Sequence, residues 1–176
     1  MIFTPTDVAG AFVIELERHG DARGFFARTF CREEFNRQGL DPVVVQASLS
    51  FTPRSGTLRG LHYQRAPHEE SKVVRCVRGR IHDVVLDLRA TSPTYLHHVG
   101  LELDDRNRLA IYVPAGCAHG FQTLTDDVEI AYQMSAAYAP HAQAGVRWND
   151  PAFGIDWPIA PVVMNERDRT FLDFVR

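Results

Sequence analysis

The chain has 176 residues, 45% of them hydrophobic and 23% charged, with a formal net charge of −3. That length suits a single domain over residues 1–176 with a full hydrophobic core. The charge balance excludes any global pull toward nucleic acid or anionic membrane. No apolar run approaches the roughly 18 residues of a membrane span, and the N-terminus lacks a basic segment followed by an apolar stretch and a small-residue cleavage site. Cys31, Cys76 and Cys117 are far apart, with no Cys-x-x-Cys. They read as free thiols of a reducing compartment, so a cytoplasmic protein is expected.

Strand signals dominate in chain order. Phe12 to Glu17 mixes apolar and acidic residues; Gly20 to Gly24 reads as a turn, and Phe25 to Phe30 resumes the strand. Arg32 to Gln38 predicts a short helix stopped by Gly39. Val43 to Phe51 alternates and is rich in β-branched residues, and Ser55 to Gln64 is a further strand candidate. Lys72 to Val77, the turn Arg78-Gly79-Arg80, and Ile81 to Arg89 read as a hairpin. His98 to Asp104, Leu109 to Val113 and Val128 to Met134 follow, separated by turns at Asp105 to Asn107 and Asp126-Asp127. The tail from Trp148 is rich in proline and aspartate, and predicts an extended segment ending in a short helix over Arg167 to Phe174. Many short strands at regular spacing predict an all-β protein, a jelly-roll β-barrel with short peripheral helices.

Two segments concentrate chemistry. Ser55 to Gln64 brings Arg59, Gly60 and His62 together shortly before Lys72, the only lysine of the chain. Lysine is a compact charge with a tunable pKa, whereas arginine is a fixed fork, so a lone lysine beside a histidine and an arginine is a candidate site residue. The basic run from Arg54 to Arg80 suits an anionic small molecule. The second segment, Val113 to Phe121, uses a Pro-x-Gly turn to present His119 where a strand re-enters a barrel. It resembles the second motif of the cupin superfamily, and Gly60-Leu61-His62 with Gly79 resembles a degenerate first motif. A metal-binding cupin would use His62, His68, Glu70 and His119, all sensible ligands for a first-row metal. Gln64 stands where the second histidine of the usual His-x-His pair would be, which argues against a metal; no metal and no cofactor is expected.

The motifs are more specific as an ordered set. Asp21-x-Arg23-Gly24-x-Phe26, Gly56-x-Leu-Arg-Gly-Leu-His-Tyr-Gln64, Lys72-Val-Val-Arg75, Asp83-Val-Val-Leu-Asp-Leu-Arg89, Ser92-Pro-Thr94, Ala118-His-Gly-Phe121, Trp148-Asn-Asp-Pro151, Trp157-Pro158 and Arg167-Asp168 occur in this order. The set resembles the dTDP-4-dehydrorhamnose 3,5-epimerase family of metal-free cupins, from about Asp21 to Asp168. The resemblance implies a cofactor-independent epimerase acting beside the C4 ketone of a nucleotide-diphosphate sugar, working as a homodimer with exchanged strands. It also implies roles. His62 is the base and Asp168 its carboxylate partner, with Asp83 a competing partner. Tyr132 is the proton donor and Lys72 the enolate-stabilising charge. Arg23, Arg59, His119 and Arg167 hold the diphosphate or nucleotide, Tyr138 packs near the sugar, and Phe26 and Gln46 complete the substrate contacts.

The chemistry asks for these residue types independently. Epimerisation beside a ketone removes an acidic C–H proton and returns one to the opposite face. It needs a base with a pKa near working pH, an orienting carboxylate, an acid opposite, and a positive group near the enolate oxygen. The chain departs from the family pattern at three places: Arg28 replaces a glutamate associated with the nucleotide pocket, Ser48 ends what is usually Gln-x-Asn, and Glu70 replaces the glutamine of Gln-x-Lys. These positions leave open a nucleotide or sugar other than the usual one. A metal-dependent cupin enzyme and a non-catalytic sugar-nucleotide binding protein are the alternative readings.

Overall fold

Side chains alternate across a strand, so each strand here offers one row to the space between two sheets and another to the outside. The computed structural model describes residues 1–175. Its larger sheet runs in the order β1 (Ile2–Pro5), β2 (Phe12–Glu15), β10 (Ala110–Val113), β7 (Lys72–Arg78), β12 (Val128–Met134), β5 (Gln46–Thr52). The smaller runs β13 (Gln143–Gly145), β6 (Leu58–Gln64), β11 (Cys117–Thr123), β8 (Arg80–Asp87), β9 (His98–Asp104). All the pairings are antiparallel. This is the expected jelly-roll barrel of the cupin type.

The inner rows meet in one apolar cluster. Val74 and Cys76 of β7, Ile111 and Val113 of β10, and Val128 and Ile130 of β12 face Ile81 and Val85 of β8, Leu103 of β9 and Phe121 of β11. Burying each such side chain contributes about 1.5–3 kcal/mol relative to leaving it exposed. The outer rows are covered differently. Helix α1 (Arg32–Arg37) lays Phe35 against Ile14, Val73 and Tyr112 on the larger sheet. The extended tail covers the smaller sheet, where Val146 and Phe153 pack on Leu61, Val84, Leu86 and Ala118.

Several boundaries differ from the sequence expectation. The turn at Gly20 to Gly24 is the tip of a separate hairpin, β3 (Arg18–Asp21) and β4 (Gly24–Ala27). The strand expected from Val43 starts at Gln46, and the one expected through Arg89 ends at Asp87. There the chain turns because Asp87 gathers its neighbours. Its buried carboxylate accepts from Arg89 N at 3.0 Å, Arg89 Nε at 2.8 Å and Thr94 Oγ1 at 2.7 Å, and also from the Ser92 hydroxyl. Burial works against the charge, but these bonds outweigh it and hold the carboxyl well below the usual range. The Asp-Leu-Arg and Ser-Pro-Thr motifs are therefore one structural knot. The terminal helix α2 spans Glu166–Thr170 only, with Asn165 Oδ1 capping it by accepting from Asp168 N at 2.7 Å. Phe171 leaves the helical conformation, with ψ at 134°.

Candidate active site

The inward rows become polar at one end of the barrel. On β7 Lys72 precedes Val74, and on β12 Tyr132 follows Ile130; on β11 His119 lies between Cys117 and Phe121. Together with Ser50, Arg59, His62, Asn165 and Arg167 they line a cleft of about 330 Å³.

Arg59 and His62 are three residues apart and would face opposite sides of a regular strand. A register shift solves this: β11 advances two residues, from His119 to Phe121, while β6 runs three, from His62 back to Arg59. The shift brings two backbones very close. A Cβ on Gly60 would lie 2.5 Å from Gly120 Cα, and Gly60 has φ of +131°. The Arg-Gly-Leu-His and His-Gly-Phe motifs thus describe one crossing point, where glycine is required on both strands.

His62 sits beyond that crossing. Its Nε2 is 2.7 Å from Asp168 Oδ1, and Asp168 Oδ2 accepts from Gly60 N at 3.0 Å. Asp168 is fully buried whereas the His62 side chain is 25% exposed, so the carboxylate is sealed behind an accessible imidazole. Burial pushes the Asp168 carboxyl up, but the His62 bond, the Gly60 N–H and the nearby Arg167 charge outweigh it and hold it below the usual range. An ionised Asp168 fixes the proton on His62 Nε2 and leaves the lone pair on Nδ1. Arg167 Nη2 comes within 3.4 Å of Nε2, and since that nitrogen already donates to Asp168, Arg167 acts there as a neighbouring charge.

Asp83, the competing partner, belongs to the other histidine. Its Oδ2 lies 2.8 Å from His119 Nε2, and the His119 ring stands edge-on to Tyr132 with centroids 6.3 Å apart. Burial pushes the Tyr132 phenol well above its ordinary range, so it stays protonated near neutral pH. Lys72 Nζ pairs with Glu70 Oε1 at 3.2 Å, both side chains nearly buried.

The cleft therefore brings together His62, Asp168, Lys72, Tyr132, Arg59, His119 and Arg167. Gln46 and Tyr138 form its rim: Gln46 Oε1 accepts from Tyr138 N, and Tyr138 Oη and Arg167 Nη1 both donate to Gln143 Oε1. Arg23 and Phe26 are not brought in. They sit on the β3–β4 hairpin, Arg23 paired with Asp21 and Phe26 78% exposed, apart from the cleft of their own chain. The four residues of the metal alternative do not converge either. His68 stands beside His141, Glu70 beside Lys72, and among the described residues no group of three or more His, Cys, Asp or Glu is placed to hold a metal. Sequence reasoning did not assign Ser50, Phe121, Asn165 or Gln143 to the site; Phe121 ends the Ala118-His-Gly-Phe121 motif and Asn165 carries the cap spacing three residues before Asp168, whereas Ser50 and Gln143 left no signal.

Residues 5–175 match the family model described as dTDP-4-dehydrorhamnose 3,5-epimerase. The chain belongs to this epimerase family. It is 40% identical over 169 residues to the dTDP-4-dehydrorhamnose 3,5-epimerase of Sinorhizobium fredii, covering 96% of this chain and 87% of that one. The crystal structure of the Elizabethkingia anophelis enzyme superposes with a TM-score of 0.96 at 34% identity, covering 99% and 96% of the two chains. That of the Bacillus anthracis enzyme with TDP and PPi bound gives 0.94 at 32% identity, covering 98% and 99%. The three departures from the family pattern have definite places. Arg28 donates to Glu34 of α1 at 2.8 Å and does not line the cleft. Ser48 is the cross-strand neighbour of Tyr132. Glu70 faces Lys72. No helix among the described residues is long and apolar enough to cross a membrane.

Proposed function

We propose that this chain epimerises a dTDP-linked 4-keto-6-deoxy sugar by exchanging protons at carbons flanking the C4 ketone. The observation that carries this reading is the His62–Asp168 pair at 2.7 Å, opening on the same cleft as a protonated Tyr132 from the opposite sheet. His62 Nδ1 takes the C–H proton, and the imidazolium formed is stabilised by Asp168, which stays ionised throughout. The electron pair moves to the C4 oxygen, where Lys72 supplies the positive charge. Tyr132 returns a proton from the other face. Arg59 and Arg167, with His119, meet the diphosphate, for which guanidinium forks suit the oxygens. The bound TDP of the Bacillus anthracis relative supports dTDP as the nucleotide, and Arg28, tied to Glu34, does not oppose it.

The working unit in this reading is a pair of chains. The outer face of the larger sheet exposes Leu49 (64%) and Phe51 (50%) on the edge strand β5, an apolar edge that a second copy would cover. The β3–β4 hairpin projects Arg23 and Phe26 away from their own cleft, and a partner's cleft is the place where they would meet substrate.

The test is solvent deuterium incorporation with dTDP-, CDP-, UDP- and GDP-linked 4-keto-6-deoxy sugars. Exchange at C3, C5 or both is expected with the dTDP sugar and its loss in His62→Ala. Near-normal exchange in His62→Ala would overturn the mechanism, and preference for another nucleotide would overturn the substrate.

A further inference from the structure

Two histidines outside the cleft meet across two loops. His68 Nε2 and His141 Nε2 are 3.1 Å apart, with ring centroids 4.8 Å apart and planes at 90°. A straight N–H···N bond of that length would separate the centroids by about 5.5 Å, because each nitrogen lies about 1.2 Å from its ring centre. An ion about 2.05 Å from both nitrogens would instead place the centroids about 4.9 Å apart, with an N–metal–N angle of about 100°. The observed separation of 4.8 Å is shorter than a straight bond gives and fits either a bent N–H···N bond or a shared ion.

The loops that carry them are held in register by independent bonds. Gln64 Nε2 donates to His68 O at 2.8 Å, Gln64 Oε1 accepts from Ala139 N at 2.7 Å, and Arg65 N donates to Ala142 O at 2.9 Å. The backbone on each side is thus set before the imidazoles meet, which favours binding over two independently mobile side chains. Their position on the surface leaves the remaining coordination positions open to water.

We propose that His68 and His141 form a two-imidazole site for a divalent transition-metal ion of the nickel, copper or zinc class, clasping the loops after β6 and before β13. Imidazole nitrogen suits these ions, whereas magnesium and calcium prefer oxygen. The site lies apart from the proposed proton chemistry and stands or falls separately from it.

Calorimetric titration of the tag-free full chain with Ni²⁺ tests the proposal. One equivalent per chain is expected, with a rise in melting temperature on saturation. His68→Asn and His141→Gln, which keep polar side chains at the surface, should each weaken binding by about a hundredfold, because each leaves one ligand where two acted together. His68→Ala and His141→Ala provide a second pair should either polar variant be poorly folded. Absence of Ni²⁺ uptake by the parent protein overturns the proposal. So does unchanged affinity in the variants, and so does loss in one position's variants only, since a bridging ion requires both imidazoles.

Discussion

Asp168→Asn is the sharpest perturbation the site offers, because it changes one atom and leaves the packing alone. The asparagine carbonyl can still accept from Gly60 N, now 3.0 Å from Asp168 Oδ2, and the Asn165 cap on the residue 168 amide is untouched. The amide NH₂ then faces His62 Nε2 at the 2.7 Å position. Nε2 must become the acceptor, the ring proton moves to Nδ1, and the lone pair that takes the substrate proton is lost. The same exchange in the serine-protease His–Asp pair lowers kcat by about 10⁴ through the wrong tautomer, equivalent to about 5.4 kcal/mol of barrier. We expect a loss of that order in deuterium exchange at C3 and C5 of dTDP-4-dehydro-6-deoxyglucose, followed by NMR in D₂O. Thermal melting and dTDP affinity should remain close to those of the parent. Asp83→Asn is the control: it disturbs His119, which does not touch the reacting carbon in this mechanism, so exchange should stay within about tenfold while KM rises. A folded Asp168→Asn protein exchanging within tenfold of the parent would refute the reasoning.

Tyr132→Phe should cut product formation by about 10²–10³ while proton washout continues, because the acid is lost and the base remains. Since burial raises the Tyr132 pKa, its deprotonation should not limit the rate below about pH 10; an alkaline limb at lower pH that disappears in Tyr132→Phe would contradict this. Lys72→Arg should fail to restore the exchange lost in Lys72→Met, since the planar fork cannot replace a compact ammonium held by Glu70 at 3.2 Å; equal rates for Arg and Lys would be the contrary result. Asp87→Ala should destabilise by about 3–5 kcal/mol, leaving the Arg89 guanidinium without its partner. That corresponds to a fall of about 6–20 °C in melting temperature. Because the folded-state pKa of Asp87 is depressed, its contribution is present above the unfolded carboxylate value near 4 and fades as pH falls through the folded one. Acid unfolding should therefore move to higher pH in a variant lacking only another exposed carboxylate less than it does in Asp87→Ala.

The barrel was legible because its signals are local and repeated. The apolar run Val84-Val85-Leu86, the hairpin turn at Gly79 and the apolar run at Ala110 to Val113 each specify a strand without knowledge of its partner. The strands that escaped lack that pattern. Ile2 to Pro5 ends in a proline and pairs only with β2 at the sheet edge, and Gln143 to Gly145 is a three-residue strand whose existence depends on Gln64, Tyr63 and His62 opposite it. The final helix is shorter than expected because Phe171 takes an extended conformation, with its ring against His62 at 6.4 Å; no local propensity reports that contact.

The site was legible as a set of residue types but not as a set of pairs. The family resemblance put Asp168 first as the partner of His62 and left Asp83 competing, since each is an acid in a family motif. The choice is made by the crossing of Gly60 and Gly120, which no residue spacing shows. The register shift there rotates Arg59 onto the face of His62 and turns the Gly60 N–H toward Asp168, 108 residues away in sequence. The same bond that anchors the carboxylate thus reports whether the strand crossing is intact. Gly60→Ala would drive a Cβ into Gly120 and strain a residue at φ +131°, a combined cost of about 2–6 kcal/mol. The loss of the Gly60 anchor should then appear in the His62 tautomer, by nitrogen chemical shift, even in any fraction that remains folded. An unchanged His62 tautomer in folded Gly60→Ala protein would separate the crossing from the dyad and show that Asp168 holds His62 without it.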